Sequence, residues 1–126
     1  MQQVIIHNLS QLQIRPVTAG YCASFLCRLR GLTFRRQIPP GWGLLLVQPR
    51  DSRMDSAIHM LAVWIDLAVV WINSAFEVVD VQLAHSWRPA YIPRHPARYV
   101  LEMDVTHLND FKVGDQVRFD HAVVLD

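Results

Sequence analysis

Lysine is nearly absent from this 126-residue chain: of its 12 lysine and arginine side chains only Lys112 is a lysine. Charge is also scarce, at 18% of residues with a net of +1. A surface this close to neutral lacks the basic excess by which proteins hold nucleic acid or anionic membranes without sequence preference. No nucleic-acid partner is therefore expected. Long apolar runs are missing too. The longest, Ala57–Ile72, is interrupted by His59 and Asp66, falls short of the roughly 20 residues that span a bilayer, and would bury a central acid at about 3 kcal/mol. No membrane span is expected.

Only two cysteines occur, Cys22 and Cys27. If both lie in one helix they point roughly 140° apart, which disfavours a disulfide or a shared metal and makes two separate buried thiols the expectation. The segment Met1–Asn8 has no basic cluster and only Val4-Ile5-Ile6 as an apolar core, too short for a secretory signal. A cytoplasmic protein is the resulting expectation. Also missing are a nucleophile elbow, a phosphate loop, a dinucleotide fingerprint and a serine or cysteine set beside a base. The histidines His7, His85, His95, His107 and His121 are scattered, so neither a metal nor a cofactor is expected.

What the chain does have is apolar mass. At 52% hydrophobic residues over 126 positions it can bury one core, and residues 1–126 read as a single domain. Val4–His7 and Leu12–Val17 are short alternating runs around a turn-like Asn8-Leu9-Ser10, which predicts a hairpin with Pro16 near an edge. Phe25, Leu26 and Leu29 recur at helical spacing and Gly31 follows, predicting one helix over roughly 19–30. Leu44–Gln48 reads as a buried strand and Pro49–Ser56 as a polar loop. Ala57–Ile72 is too long for one straight strand, so it is expected as two strands or one bent at a bulge. Phe76–Leu83 completes a hairpin. His85–Pro96, with Pro89, Pro93 and Pro96, is a long loop. Strands are expected at Tyr99–Met103 and Val117–Phe119, with a helical turn at Leu108–Phe111. The sum is a mainly β fold: a small, closed or partly closed barrel of about seven or eight short strands plus one helix.

Several blocks then fall into a known order. Arg28-Leu29-Arg30-Gly31-Leu32-Thr33-Phe34-Arg35 is similar to the signature RxRGLMFR. Gly43–Leu46, Ser56–Met60, Ile65–Asn73 with Val78-Val79, Ala97–Glu102 and Val113-Gly114-Asp115 follow at the expected spacing. Together they resemble the family known as domain of unknown function 192, found in bacteria and archaea, over roughly Ile14–Phe119. The resemblance implies a β-rich domain with a helix near its start, and no particular activity or cofactor. Two positions depart from it. Thr33 stands where many members carry Met, and the acid that usually falls at Leu67-Ala68 is found two positions earlier, at Asp66.

Asp66, between Ile65 and Leu67, must find donors or reach solvent. As a functional group it would be a pocket acid with a raised pKa; as a structural one it would pair with Arg28 or Arg30, or sit at a turn. His59 is a candidate base, although regular strand geometry would put it on the opposite face from Asp66, and a hydrogen bond to backbone is its simpler role. Trp87, Arg88, Tyr91 and Arg94 interleave aromatic and cationic groups in one loop, a pattern suited to a sugar, a nucleotide base or an acidic peptide. Arg28 and Arg30, with Arg35 and Arg36, offer a second anion-binding cluster. The preferred expectation is a non-catalytic module that binds a small ligand or a protein partner. The alternative is a small enzyme using Asp66 with His59 or an arginine in an apolar pocket. Oligomeric state is not legible.

Overall fold

The computed structural model describes residues 2–122. Seven strands are present there: β1 (Gln3–Asn8), β2 (Val17–Cys22), β3 (Trp42–Ser52), β4 (Leu67–Ile72), β5 (Val78–Ala84), β6 (Ala97–Asp104) and β7 (Val117–Ala122). They form one sheet in the order β5-β4-β6-β3-β2-β1-β7. All neighbours run antiparallel except β2 and β3, which are parallel. A single α-helix, α1 (Phe25–Arg30), lies within the crossover between that parallel pair, and a 3-10 turn (Val105–His107) follows β6.

The sheet curls until its two edges meet at one end. There Val78 donates its N–H to Asp115 at 2.9 Å, Gly114 to Val78 at 2.8 Å and Val117 to Phe76 at 2.9 Å. Among the described residues the barrel is closed at that corner only, which satisfies backbone groups that two open edges would leave bare. Strand alternation sorts the apolar side chains into two cores. Val4, Ile6, Val17, Leu45, Val70, Leu101 and Met103 fill the barrel interior. Leu44, Leu46, Leu67, Val69, Trp71 and Val100 point outward, yet they too are covered, by Leu32, Ile38, Ile58, Met60 and Val63 from the connecting segments. Strands buried on both faces read as unbroken apolar runs, as β4 (LAVVWI) does along its whole length.

Several expectations change. The hairpin partner of β1 begins at Val17, not Leu12. Gln11–Ile14 closes a turn instead, and β2, with Pro16 just ahead of it, lies inside the sheet rather than at an edge. The helix is six residues long, not the twelve of 19–30. Val17, Ala19 and Cys22 were available to the sheet, and burying them in it outweighs helical spacing. Ser24 caps α1 by accepting the Cys27 N–H at 3.2 Å, and Gly31 ends it at φ 49°, ψ −126°, a conformation suited to glycine. Cys22 closes β2 and Cys27 lies in α1, so the two cysteines do not share a helix and their side chains are not held roughly 140° apart. Their Cα atoms are 5.6 Å apart and the two form a disulfide, which ties the helix to the sheet.

A further change concerns Ala57–Ile72. Only Leu67–Ile72 is strand, and Ala57–Asp66 is a loop laid over the outer core. Its backbone pairs with the 85–91 loop: Ile58 exchanges hydrogen bonds with Tyr91 at 3.0 and 2.9 Å, and Met60 accepts from Trp87 at 2.8 Å. Ala62 at φ 59° breaks any extended run. The buried Trp71 Nε1 donates to the Ser56 carbonyl at 2.8 Å and pins the start of this loop to the sheet.

Candidate functional site

A cavity of about 380 Å³ opens between the outer face of the sheet and the helix-to-loop cover. Its apolar walls include Phe25, Leu29, Leu32, Leu46, Ile58 and Val63, and its polar lining comes from Arg28, Arg30, Gln48, Asp55, His59 and Glu102. This size is within the range of small-molecule sites.

Glu102 forms its floor. It sits in the middle of β6, opposite Leu44 of β3 and Val69 of β4, with its side chain on the outer face. Only 4% of the residue is exposed. Its Oε1 has no hydrogen-bond partner among the described residues. An ionised carboxylate there would have lost water and gained nothing in return, so burial pushes its pKa up to about 8 and the group is held as the neutral acid at pH 7. Directly above it is Gly31, where a Cβ would come within 3.6 Å of Glu102 Oε1. The glycine of the RLRGLT segment thus satisfies a positive φ and brings its backbone close against the buried acid.

The arginines share the cavity without quenching the acid. Arg28 is held by the carbonyls of Ala23 at 2.6 Å and Val47 at 3.0 Å. Among the described residues neither Arg28 nor Arg30 has a carboxylate within 4 Å. His59 Nε2 lies 3.3 Å from the Leu29 carbonyl, so it joins the loop to α1 at the rim. A second cavity of about 510 Å³ lies on the other side of the same segment, lined by Leu26, Cys27, Arg30, Gly31, Thr33, Arg35 and Trp42. Residues Arg30–Thr33 are therefore a partition between two openings.

Of the residues singled out from sequence, the structure brings Arg28, Arg30 and His59 to this cavity. Asp66 is elsewhere. It lies on the surface just ahead of β4, accepts the Ser86 N–H at 2.8 Å and stands 3.4 Å from His85. Those donors, the Ser86 amide first, hold its pKa below the usual carboxylate range against an opposing effect of burial, the reverse of a pocket acid. It shares neither cavity nor hydrogen bond with His59 and pairs with neither Arg28 nor Arg30.

The aromatic loop forms a separate surface. Trp87, at φ 66°, meets Trp64 edge to face at 5.3 Å, and Arg36 lies 5.4 Å over the Trp64 ring. Arg88 is exposed and its carbonyl accepts from Met60. Tyr91 is half-buried against the outer core and its hydroxyl accepts the His85 N–H at 2.8 Å. Arg94 is exposed, and its backbone N–H, not its guanidinium, is engaged, by Asp80 at 3.0 Å. Glu102 had not been singled out. Its signal was present: a carboxylate inside the apolar string Tyr99-Val100-Leu101-Glu102-Met103.

Comparison with known proteins agrees on the fold and the family. A crystal structure from Sinorhizobium meliloti 1021, described provisionally as a transcription regulator, superposes with a TM-score of 0.78 at 21% identity, covering 94% of this chain and 92% of that one. A protein of unknown function from Novosphingobium aromaticivorans gives 0.76 at 16% identity, covering 92% and 83%. At these identities the likeness establishes the fold alone. A UPF0127 protein of Pyrococcus furiosus is 30% identical over 109 residues, 85% of this chain and 90% of its own length. Another, from Thermococcus gammatolerans, is 34% identical over 99 residues, 77% of this chain but only 63% of its own length. Residues 6–119 match the family DUF192, described as "Uncharacterized ACR". The chain belongs to the DUF192 family.

Proposed function

We propose that this domain is a non-catalytic binding module and that its ligand occupies the cavity floored by Glu102. The observation that carries this reading is Glu102 itself, a buried carboxyl with an unpartnered Oε1 among the described residues, set in the lining of an open, largely apolar cavity. A polar atom buried without a partner costs roughly 1–3 kcal/mol, and a ligand that hydrogen-bonds to it recovers that cost. Arg28, Arg30 and His59 are the side chains best placed to contact the same ligand. Asp66 and His59, the pair on which an enzyme reading rested, do not meet, and that weighs against catalysis through them. The Trp64–Trp87 surface with Arg88 and Arg94 is proposed as a contact area for a protein partner rather than as the ligand site. The Cys22–Cys27 disulfide fits an oxidising compartment better than a reducing cytoplasm. Among the described residues no helix is long and apolar enough to cross a membrane.

The test is a thermal-shift screen of metabolites, sugars and nucleotides against the native chain and Ala57→Trp, a substitution that places an indole at the cavity wall. A ligand at 100 times its Kd adds about 2.7 kcal/mol of stability. The expected result is a hit that Ala57→Trp abolishes. Hits that survive the substitution unchanged, or no hits at all, would contradict the cavity as the binding site.

A further inference from the structure

The chemistry lining the cavity specifies its ligand more closely, and this step rests on the reading just given. Two arginines, Arg28 and Arg30, line it without an acidic partner among the described residues. Arg28 is fixed in place through Nη1 by two backbone carbonyls, so its remaining N–H groups are oriented without a further loss of freedom. Apolar side chains, among them Leu32, Leu46, Ala57 and Ile58, form the walls. We infer that the cavity takes a small organic anion, a carboxylate on a short apolar body, with its charge toward Arg28 and Arg30 and one oxygen accepting a hydrogen bond from the Glu102 carboxyl.

Three features favour an anion over a cation. An alkylammonium would have to approach two arginines. It would also find in Glu102 a neutral carboxyl, which offers an acceptor but no countercharge. A carboxylate, in contrast, is neutralised by the arginines and finds in Glu102 an O–H donor, because burial keeps that carboxyl protonated near neutral pH. A carboxylic acid held neutral in an apolar site is an effective hydrogen-bond donor to an oxyanion. The other charged or titratable groups facing this space are Arg28 and Arg30 from α1, Asp55 after β3 and His59 from the covering loop. On its own strand Asp104 is two residues away and is engaged by Thr106 at 2.6 and 2.9 Å.

The experiment is isothermal titration of the native chain, Glu102→Gln and Arg30→Gln with hexanoate, benzoate, hexanol and hexylamine, between pH 7.5 and 9.5. Hexanoate or benzoate should bind the native chain more tightly than hexanol, and hexylamine should not bind. Arg30→Gln should weaken the carboxylates at least tenfold and leave hexanol unaffected. Because only the protonated form of Glu102 donates, carboxylate affinity should fall on the order of 25-fold across that pH range. Glu102→Gln, whose amide donates at every pH, should abolish the fall while still binding, a result that a merely structural role would not produce. Hexylamine or hexanol binding in preference to the carboxylates would overturn the anion assignment while leaving a ligand cavity in place. A pH-independent affinity in the native chain would overturn the role of Glu102. Failure of all four compounds would overturn this assignment but leave the broader screen, with its Ala57→Trp control, to judge the cavity itself.

Discussion

Glu102→Gln is the perturbation whose effect on stability follows most directly from the structure. The carboxyl is buried in the central strand β6 with Oε1 unpartnered, and its pKa rises from an ordinary 4.5 to about 8. Between those two values the folded chain holds a proton that the unfolded chain has released, so stability falls as pH rises. Below about pH 4.5 both states are protonated and Glu102 contributes no pH dependence. Above about pH 8 both are ionised and the full penalty is present. At 1.36 kcal/mol per pH unit, the loss relative to pH 4.5 is roughly 3 kcal/mol at pH 7 and roughly 5 kcal/mol above pH 8. Glutamine keeps the shape and one donor but cannot ionise, so Glu102→Gln should match the native chain near pH 5 and exceed it by roughly 3 kcal/mol at pH 7. Urea unfolding at closely spaced pH values measures this difference, and the comparison cancels the other acids. Those acids act in the opposite sense: Asp66, Asp104 and Asp115 have lowered pKa values, so their stabilisation is present above pH 4 and lost on further acidification. Parallel stability curves for the two proteins from pH 5 to pH 8.5 would refute the reasoning.

Gly31→Ala should cost about 1–3 kcal/mol, because the position combines φ 49° with ψ −126°; an unchanged urea midpoint would contradict this. Reducing the Cys22–Cys27 disulfide, which closes a very short loop, should lower stability by about 2 kcal/mol, read as a shift in denaturant midpoint with and without a phosphine reductant. Two free thiols titratable before reduction would rule the bond out. Leu101→Ala, fully buried in the barrel interior, should cost about 2–5 kcal/mol by calorimetry. Asp66→Ala, on the surface, should change stability by less than about 1 kcal/mol and leave carboxylate binding intact; a larger loss would restore a structural role to that acid.

The same clue, an acid among apolar neighbours, led in opposite directions at two places. At Asp66 the neighbours belong to a loop, so the carboxylate turns to solvent and to the Ser86 amide. At Glu102 they belong to a strand covered on both faces, and the carboxyl stays buried. Sequence periodicity could not separate the two, because whether an outward face is covered depends on segments distant in the chain, here Leu32, Ile38 and Ile58–Val63. The β-rich class, the hairpin across Asn73–Glu77 and the loop at His85–Pro96 were legible from turn residues and short apolar runs. The β2–α1 boundary was not, since Val17–Cys22 carries apolar residues compatible with either period. The disulfide was lost with it. Arg28 and Arg30 were recognisable as a cationic cluster, but their place in the cavity that Glu102, some 70 residues away in sequence, also lines is a product of β3–β6 pairing and the crossover helix.

The central claim is that Glu102 is neutral at pH 7 on the floor of an open cavity. The chain contains only two glutamates, Glu77 and Glu102, so carbon-13 labelling of glutamate carboxyls yields two side-chain signals, assigned with Glu77→Gln. Following the Glu102 signal from pH 4 to pH 10 is the most direct test. The account predicts a midpoint near 8; a midpoint near 4.5, the ordinary value for an exposed glutamate, would contradict it.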